Sequence, residues 1–307
     1  MSQPDSADAV GGDQFREVMA PTVEVIRRLT SALNDVTPRH GNQPWASSRA
    51  MEEIAAEANT LASKSSWTGP ITDTHSFGGI TLIAASDYAR AFVEAIGGSP
   101  TPVFAHLVVA RSVFESSVVS AWLNDPTVNP VERVKRGLCE QLYSAMELVR
   151  LGIEDDAAER VARWKAVAAE FGWETRRNRD KPVVDTTERP SVPRGIDKLL
   201  VGEGDWRIGR AQWSYLSAVS HVTWWGLRQS VVEPPSDPGV SGLSLAGVGT
   251  TAASVFSQAV CVVRAVRKAA SARFALMGWE DTEWNAASSE AEVYERAVIS
   301  SFRPVVG

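Results

Sequence analysis

Two sets of residues in this 307-residue chain combine types and spacings that chemistry could use. The first lies in TPVFAHLVVARSVFESSVVSAWLN, residues 101–124, an almost wholly apolar run carrying one arginine and one glutamate. Wound at about 100° per residue, Phe104, Leu107, Val108, Val118 and Trp122 share one stripe, with Arg111 and Glu115 at its centre. An ion on an apolar face is costly unless it is paired and hydrogen-bonded. Arg111 and Glu115 are therefore expected to be largely buried and to meet residues of a second helix. Arginine before glutamate at i, i+4 is the weaker orientation for supporting a helix, which points to a tertiary or ligand-binding role. The second set lies in WRIGRAQWSYLSAVSHVTWWGLRQS, residues 206–230, where Arg210, Ser214, Ser217, His221 and Arg228 fall on one line of a continuous helix bordered by Trp213, Trp224 and Trp225. A histidine between two arginines suits an anion-facing acid or base: His221 would move the proton and Arg210 or Arg228 would hold the anion. The plainer alternative is a polar helix edge in which His221 bonds a neighbouring backbone group or serine.

Other motifs carry less. Asp155, Asp156 and Glu159 form a DDxxE string, and Asn124-Asp125 with Glu132 is similar to the second Mg²⁺ motif of terpene synthases. Carboxylates one turn apart can hold Mg²⁺ against a diphosphate, so isoprenoid diphosphate chemistry is a remote alternative. The order of the two motifs is reversed, however, and acidic residues opening a helix are favoured by its macrodipole in any case. The four histidines (40, 75, 106 and 221) and the cysteines 139 and 261 show no HExxH and no zinc spacing, so no metal and no cofactor are expected. Residues 242–246 lack the last glycine of a nucleophile elbow. Residues 202–204 lack the third glycine of a dinucleotide fingerprint. The basic run Arg176-Arg177-Asn178-Arg179-Asp180-Lys181 could touch phosphate or simply be solvated loop.

The elements that must position these residues read as helices throughout. Helical periods cover roughly 14–35, 45–64, 74–97, 102–124, 131–151, 154–171, 206–231, 249–277 and 282–301. Thr101-Pro102 reads as a cap with an N1 proline, and Asn129-Pro130-Val131-Glu132 as a cap, an N1 proline and an acidic N3. Gly97-Gly98 and Gly152 stop the helices they follow. No run shows sustained alternation of apolar and polar residues, so no sheet is expected. Two long connections, 174–204 (with a short helix at 196–201) and 232–248, flank the His221 helix, as lids or binding loops would. The organisation expected is a disordered tail at 1–12, N-terminal capping helices at 13–73, and a helical bundle core at 74–303.

Composition bounds the partners. A net charge of −6 and a pI near 5.4 disfavour non-specific nucleic-acid binding without excluding a local basic patch. Eleven tryptophans against four tyrosines suggest deep helix contacts or an aromatic pocket. Two isolated cysteines, no apolar leader and no uninterrupted apolar span fit a cytoplasmic protein that does not enter a membrane.

The pairing of ARSVFESSVVSAWLNDP with a later WSYLSAVSHVTWWGL resembles a group of uncharacterised helical proteins loosely related to HEPN (higher eukaryotes and prokaryotes nucleotide-binding) domains. The resemblance covers the middle third to half of the chain, on short motifs. It implies an all-α bundle in which the Arg111/Glu115 helix faces the His221 helix. Catalytic members are ribonucleases with an arginine and a histidine four to six residues apart. Here Arg210 precedes His221 by eleven, so that motif is absent. The expectation is thus an all-α bundle of about nine helices with a HEPN-like core. Its leading function is binding: a pocket of Arg111, Glu115, Ser217 and His221, lined by Trp122, Trp224 and Trp225, for a small anionic ligand or a protein partner segment. The alternative is a ribonuclease or phosphate-ester hydrolase using His221.

Overall fold

The structure, a computed structural model, describes residues 12–40, 43–60, 65–98, 102–153, 155–200, 208–228, 231–232, 247–248 and 251–301. Eleven helices and five short strands are described: α1 (Gly12–His40), α2 (Arg49–Thr60), α3 (Pro70–Gly97), α4 (Ala105–Leu123), α5 (Pro130–Leu151), α6 (Ala157–Glu170), β1 (Thr175–Asn178), β2 (Lys181–Val184), β3 (Thr187–Glu188), α7 (Val192–Leu200), α8 (Ile208–Ser220), α9 (Trp224–Arg228), β4 (Val231–Val232), β5 (Gly247–Val248), α10 (Ala252–Met277) and α11 (Thr282–Ser301). The molecule is mostly helical, as its periods require. The tail expected at 1–12 lies, Gly12 apart, outside the described residues, as does the 232–248 connection except for its two paired ends.

Several helix ends follow their local chemistry. Asn129 caps α5, its Oδ1 accepting from the Glu132 amide at 2.9 Å, with Pro130 in the first turn. Gly152 closes the same helix at φ 62°, its amide returning to Leu148 O, a left-handed position that glycine enters without steric cost. Thr101 of the expected cap lies outside the described residues, and Pro102 precedes α4 instead of opening it. The His106 ring Nδ1–H donates to Pro102 O at 3.0 Å, and α4 starts at Ala105.

Three expectations are corrected. The 174–204 connection is not an open loop: β1, β2 and β3 form an antiparallel sheet in which Thr175 pairs with Val184 and Val183 with Glu188. Strands of four, four and two residues are too short to display a period-two pattern. A second ribbon pairs Val231 with Val248. The helix expected over 206–231 is broken into α8 and α9. The Val222 amide returns to Val219 O and the Thr223 amide to Ala218 O, a Schellman closure with Val222 at φ 55°. Because valine holds the place usually given to glycine, the stop carried no glycine signal. With this break, and with α7 ahead of it, eleven helices stand where about nine were expected.

The main core joins α1, α3, α4, α7, α8, α10 and α11 around Ile26, Phe92, Phe114, Leu216 and Val262. α3 and α4 form its most extensive pair. A smaller core of Trp67, Ile71, Leu138, Leu142, Val167 and Val184 lies beneath α5, α6 and β2. No helix among the described residues is long and apolar enough to cross a membrane.

Candidate functional site

Arg111 and His221 meet. The packing of α4 on α8 brings Arg111 Nη1 to 3.4 Å from His221 Nε2. The Arg111 Nε–H donates to Glu115 Oε1 at 3.1 Å, and its guanidinium carbon lies 4.8 Å from the centre of the Trp213 ring. Arginine carries five N–H donors, no acceptor, and stays protonated. His221 therefore offers Arg111 the lone pair of Nε2, which places the ring proton on Nδ1. Among the described residues, the three remaining N–H bonds of Arg111 have no acceptor.

Burial differs from the expectation. The Arg111 side chain retains 21 % of its exposure and that of Glu115 43 %, so the pair lies at the edge of the helix interface and not in the core. The face of α4 turned inward mixes large apolar residues, Leu107, Phe114 and Leu123, with small ones. Ala110, Ser117 and Ser120 are buried, and Ser120 Oγ–H donates to Gly78 O at 3.0 Å. Val108, one of the large residues that defined the expected stripe, is exposed.

The other anticipated site residues separate into groups. Ser217 is half-buried on α8, one turn before His221. Trp122 belongs to the smaller core, beneath the Arg136 guanidinium at 5.4 Å. Trp224 and Trp225 are 72 % and 55 % exposed, beside Val222 at 71 %. Arg210 is drawn to α7, where its amide donates to Asp197 Oδ1 at 2.8 Å. It starts α8 while His221 follows the end, about 16 Å away along the axis. Arg228 is exposed on α9, so the single line of Arg210, Ser217, His221 and Arg228 does not exist. Gly226 fixes the fold-back of α9, because a Cβ there would stand 2.6 Å from the backbone of Ala218 and Val219.

A second polar constellation went unanticipated. Glu53 of α2, fully buried, accepts from Arg133 Nε at 3.0 Å, from Arg133 Nη2 at 3.1 Å and from His75 Nε2–H at 3.0 Å. Arg133, also fully buried, donates further to the carbonyls of Leu123 and Asp125. Arg273 of α10 donates to His75 O at 2.8 Å and to Asn124 Oδ1 at 3.1 Å. Burial pushes the Glu53 carboxyl up, but the His75 and Arg133 hydrogen bonds and the Arg133 charge outweigh it and hold the group below its ordinary range. Burial dominates at His75 and pushes it down against the opposing Glu53 contact. Burial, with the Arg133 charge nearby, lowers Arg273 to about 10. Solvent has little access to this network, so its role is to lock α2, α3, α5 and α10 together. No sequence signal marked it, because each residue sits on a different element.

Several residues of the acidic motifs are engaged elsewhere. Asp156 pairs with Arg160 at 3.4 Å, Asp125 holds Thr127, and Glu132 divides between Arg136 and Thr187. No group of three or more histidine, cysteine, aspartate or glutamate side chains converges among the described residues. Comparison with known family models, with curated proteins and with solved structures gives no match.

Proposed function

We propose that this chain is a helical binding protein whose site is the Arg111–His221 edge, and that it takes an acidic group carried on a partner segment. The observation that supports this reading is one half-buried guanidinium at His221, three of whose N–H donors have no acceptor among the described residues, with two exposed tryptophans on the short helix that follows His221. Arginine and tryptophan are the residues that dominate binding energy at protein interfaces. A small ligand asks for a concave apolar pocket, whereas indoles this exposed are better covered by a second surface. Val222 adds support: a β-branched residue held at φ 55° costs on the order of 1–2 kcal/mol, and such strain gathers at functional sites. The HEPN-like relationship is part of this proposal, supported by the packing of the two motif-bearing helices, α4 and α8.

The catalytic alternative is a ribonuclease or phosphate-ester hydrolase that uses His221. It has the Arg111–His221 contact in its favour, but Arg111 already occupies the ring nitrogen that would accept a proton, and Arg210 lies at the opposite end of α8. A panel of labelled acidic peptides with apolar residues, read by fluorescence anisotropy, tests the binding reading. Arg111→Ala and Trp224→Ala should each weaken the best peptide at least tenfold without changing the melting temperature. Inorganic phosphate that binds as tightly as the peptide would replace the partner segment with a small anion. RNA cleavage by the wild type that vanishes in His221→Ala would overturn the binding reading altogether.

A further inference from the structure

The basic run 176–181 is the arm of a cleft. Among the described residues β1 pairs with β2 alone and its other edge is open. The hairpin turns at Arg179, φ 58°, and stands across from the C-terminal half of α5 and from α6. The cleft, open to solvent on one side, has a volume of about 670 Å³, within the range of roughly 300–1,000 Å³ typical of small-molecule sites. Its floor is apolar: Leu142 and Pro182 are buried, and Met146 and Val161 are half-buried.

The rim has the opposite character. Lys165, Arg176 and Arg177 are exposed on it and form no ion pair among the described residues. Arg150 is neutralised by Glu147 at 2.6 Å, which leaves Asp180 as the remaining acidic group on the rim. A locally cationic rim on a chain of net charge −6 is a selective feature, not a reflection of composition. Charge on an open strand edge discourages edge-to-edge pairing, which accounts for the arginines but not for an apolar floor beneath them.

We propose that this cleft binds an amphiphilic anion, with a hydrocarbon body on the Leu142, Met146 and Val161 floor and a carboxylate or phosphate head against Lys165, Arg176 and Arg177. The two halves need each other. The floor alone would accept any apolar molecule, and the rim alone, exposed to water, would hold an anion only weakly. Together they select a head and a body on one molecule. The site is separate from the Arg111–His221 edge and does not depend on its role.

Isothermal titration with octanoate, decanoate, dodecanoate, dodecyl phosphate, dodecanol and inorganic phosphate, each below its micellar or solubility limit, tests the assignment. One-site binding is expected to tighten with chain length by up to about fourfold per methylene. The double variant Arg176→Ala, Arg177→Ala should weaken dodecanoate and dodecyl phosphate at least tenfold while leaving dodecanol and the melting temperature unchanged. Val161→Asp should weaken all three, whereas Arg111→Ala should weaken none. The tighter of the carboxylate and phosphate series identifies the head. Absence of saturable binding, no gain with chain length, inorganic phosphate binding as tightly as dodecyl phosphate, or dodecanoate binding that survives the double variant would each overturn the proposal.

Discussion

Replacing Glu53 by glutamine tests the interior directly. The substitution keeps the shape of the side chain and removes its charge, leaving Arg133 with carbonyl partners at Leu123 and Asp125 but no carboxylate. Arg273 lies in the same interior and never had one. Two guanidinium groups would then share a space with no compensating negative charge, and breaking a buried pair in this way costs about 3–5 kcal/mol. For a chain of this size, that loss lowers the melting temperature by on the order of 10 °C. Urea denaturation followed by circular dichroism measures it, and a loss below about 1 kcal/mol would refute the claim that the network locks the bundle. Glu53→Leu combined with Arg133→Met should recover most of the loss, since apolar side chains of similar volume often replace a buried ion pair without cost.

The same network sets an acid limit. His75 is held below its ordinary 6.5 in the folded protein, so its contribution is complete above about pH 6.5 and is lost as pH falls toward the folded value. Glu53 is held below its ordinary 4.5, so its contribution persists to lower pH and is lost as pH falls through its own folded value. Stability should therefore decline in two stages on acidification, and His75→Gln should remove the first. A wild-type profile that is flat between pH 7 and 5 would contradict the assignment at His75.

Further expectations follow from single observations. Glu115→Ala should cost no more than about 1 kcal/mol in thermal or urea unfolding, because a side chain that retains 43 % of its exposure makes a screened ion pair. Gly226→Ala should destabilise by about 1–3 kcal/mol, since the new methyl group meets backbone and not a movable side chain. Val222→Gly should change stability by less than about 1 kcal/mol, because relief of the left-handed strain offsets the entropy of the glycine. Burial raises the thiols of Cys139 and Cys261 to about 12, so neither should react with a thiol reagent at pH 8 until urea unfolds the protein.

The helices were legible because their signals are local. Asn129, Pro130, Glu132 and Gly152 each perform within one turn the role their types announce. The sheet was not, since Val183 and Val184 sit in four-residue strands defined by their pairing partners and not by a repeat. The break after Ser220 was hidden for a different reason. Backbone hydrogen bonds from Val222 and Thr223 close α8, and a valine in the left-handed region is the residue that sequence reasoning least expects there.

The candidate site shows the same division between local and tertiary information. Apolar periodicity drew attention to Arg111 and Glu115, and the contact with the His221 helix that the buried-charge argument required is present. The pair is shallower than the stripe implies because the buried face is centred on residues outside it, Ala110, Val113, Phe114 and Ser117. α4 packs inward through Leu107, Phe114, Val118 and Leu123 together with Ala110, Ser117 and Ser120, whereas Val108 is exposed and Arg111 and Glu115 lie at the edge of that face. Removing the Glu53 charge should destabilise the protein by about 3–5 kcal/mol, whereas removing Arg111 should cost no more than about 1 kcal/mol. Measuring both losses therefore separates the charges that build the bundle from those left at its surface for a partner. Equal losses at the two positions would show that the Arg111 edge is structural and would remove the ground for placing binding there.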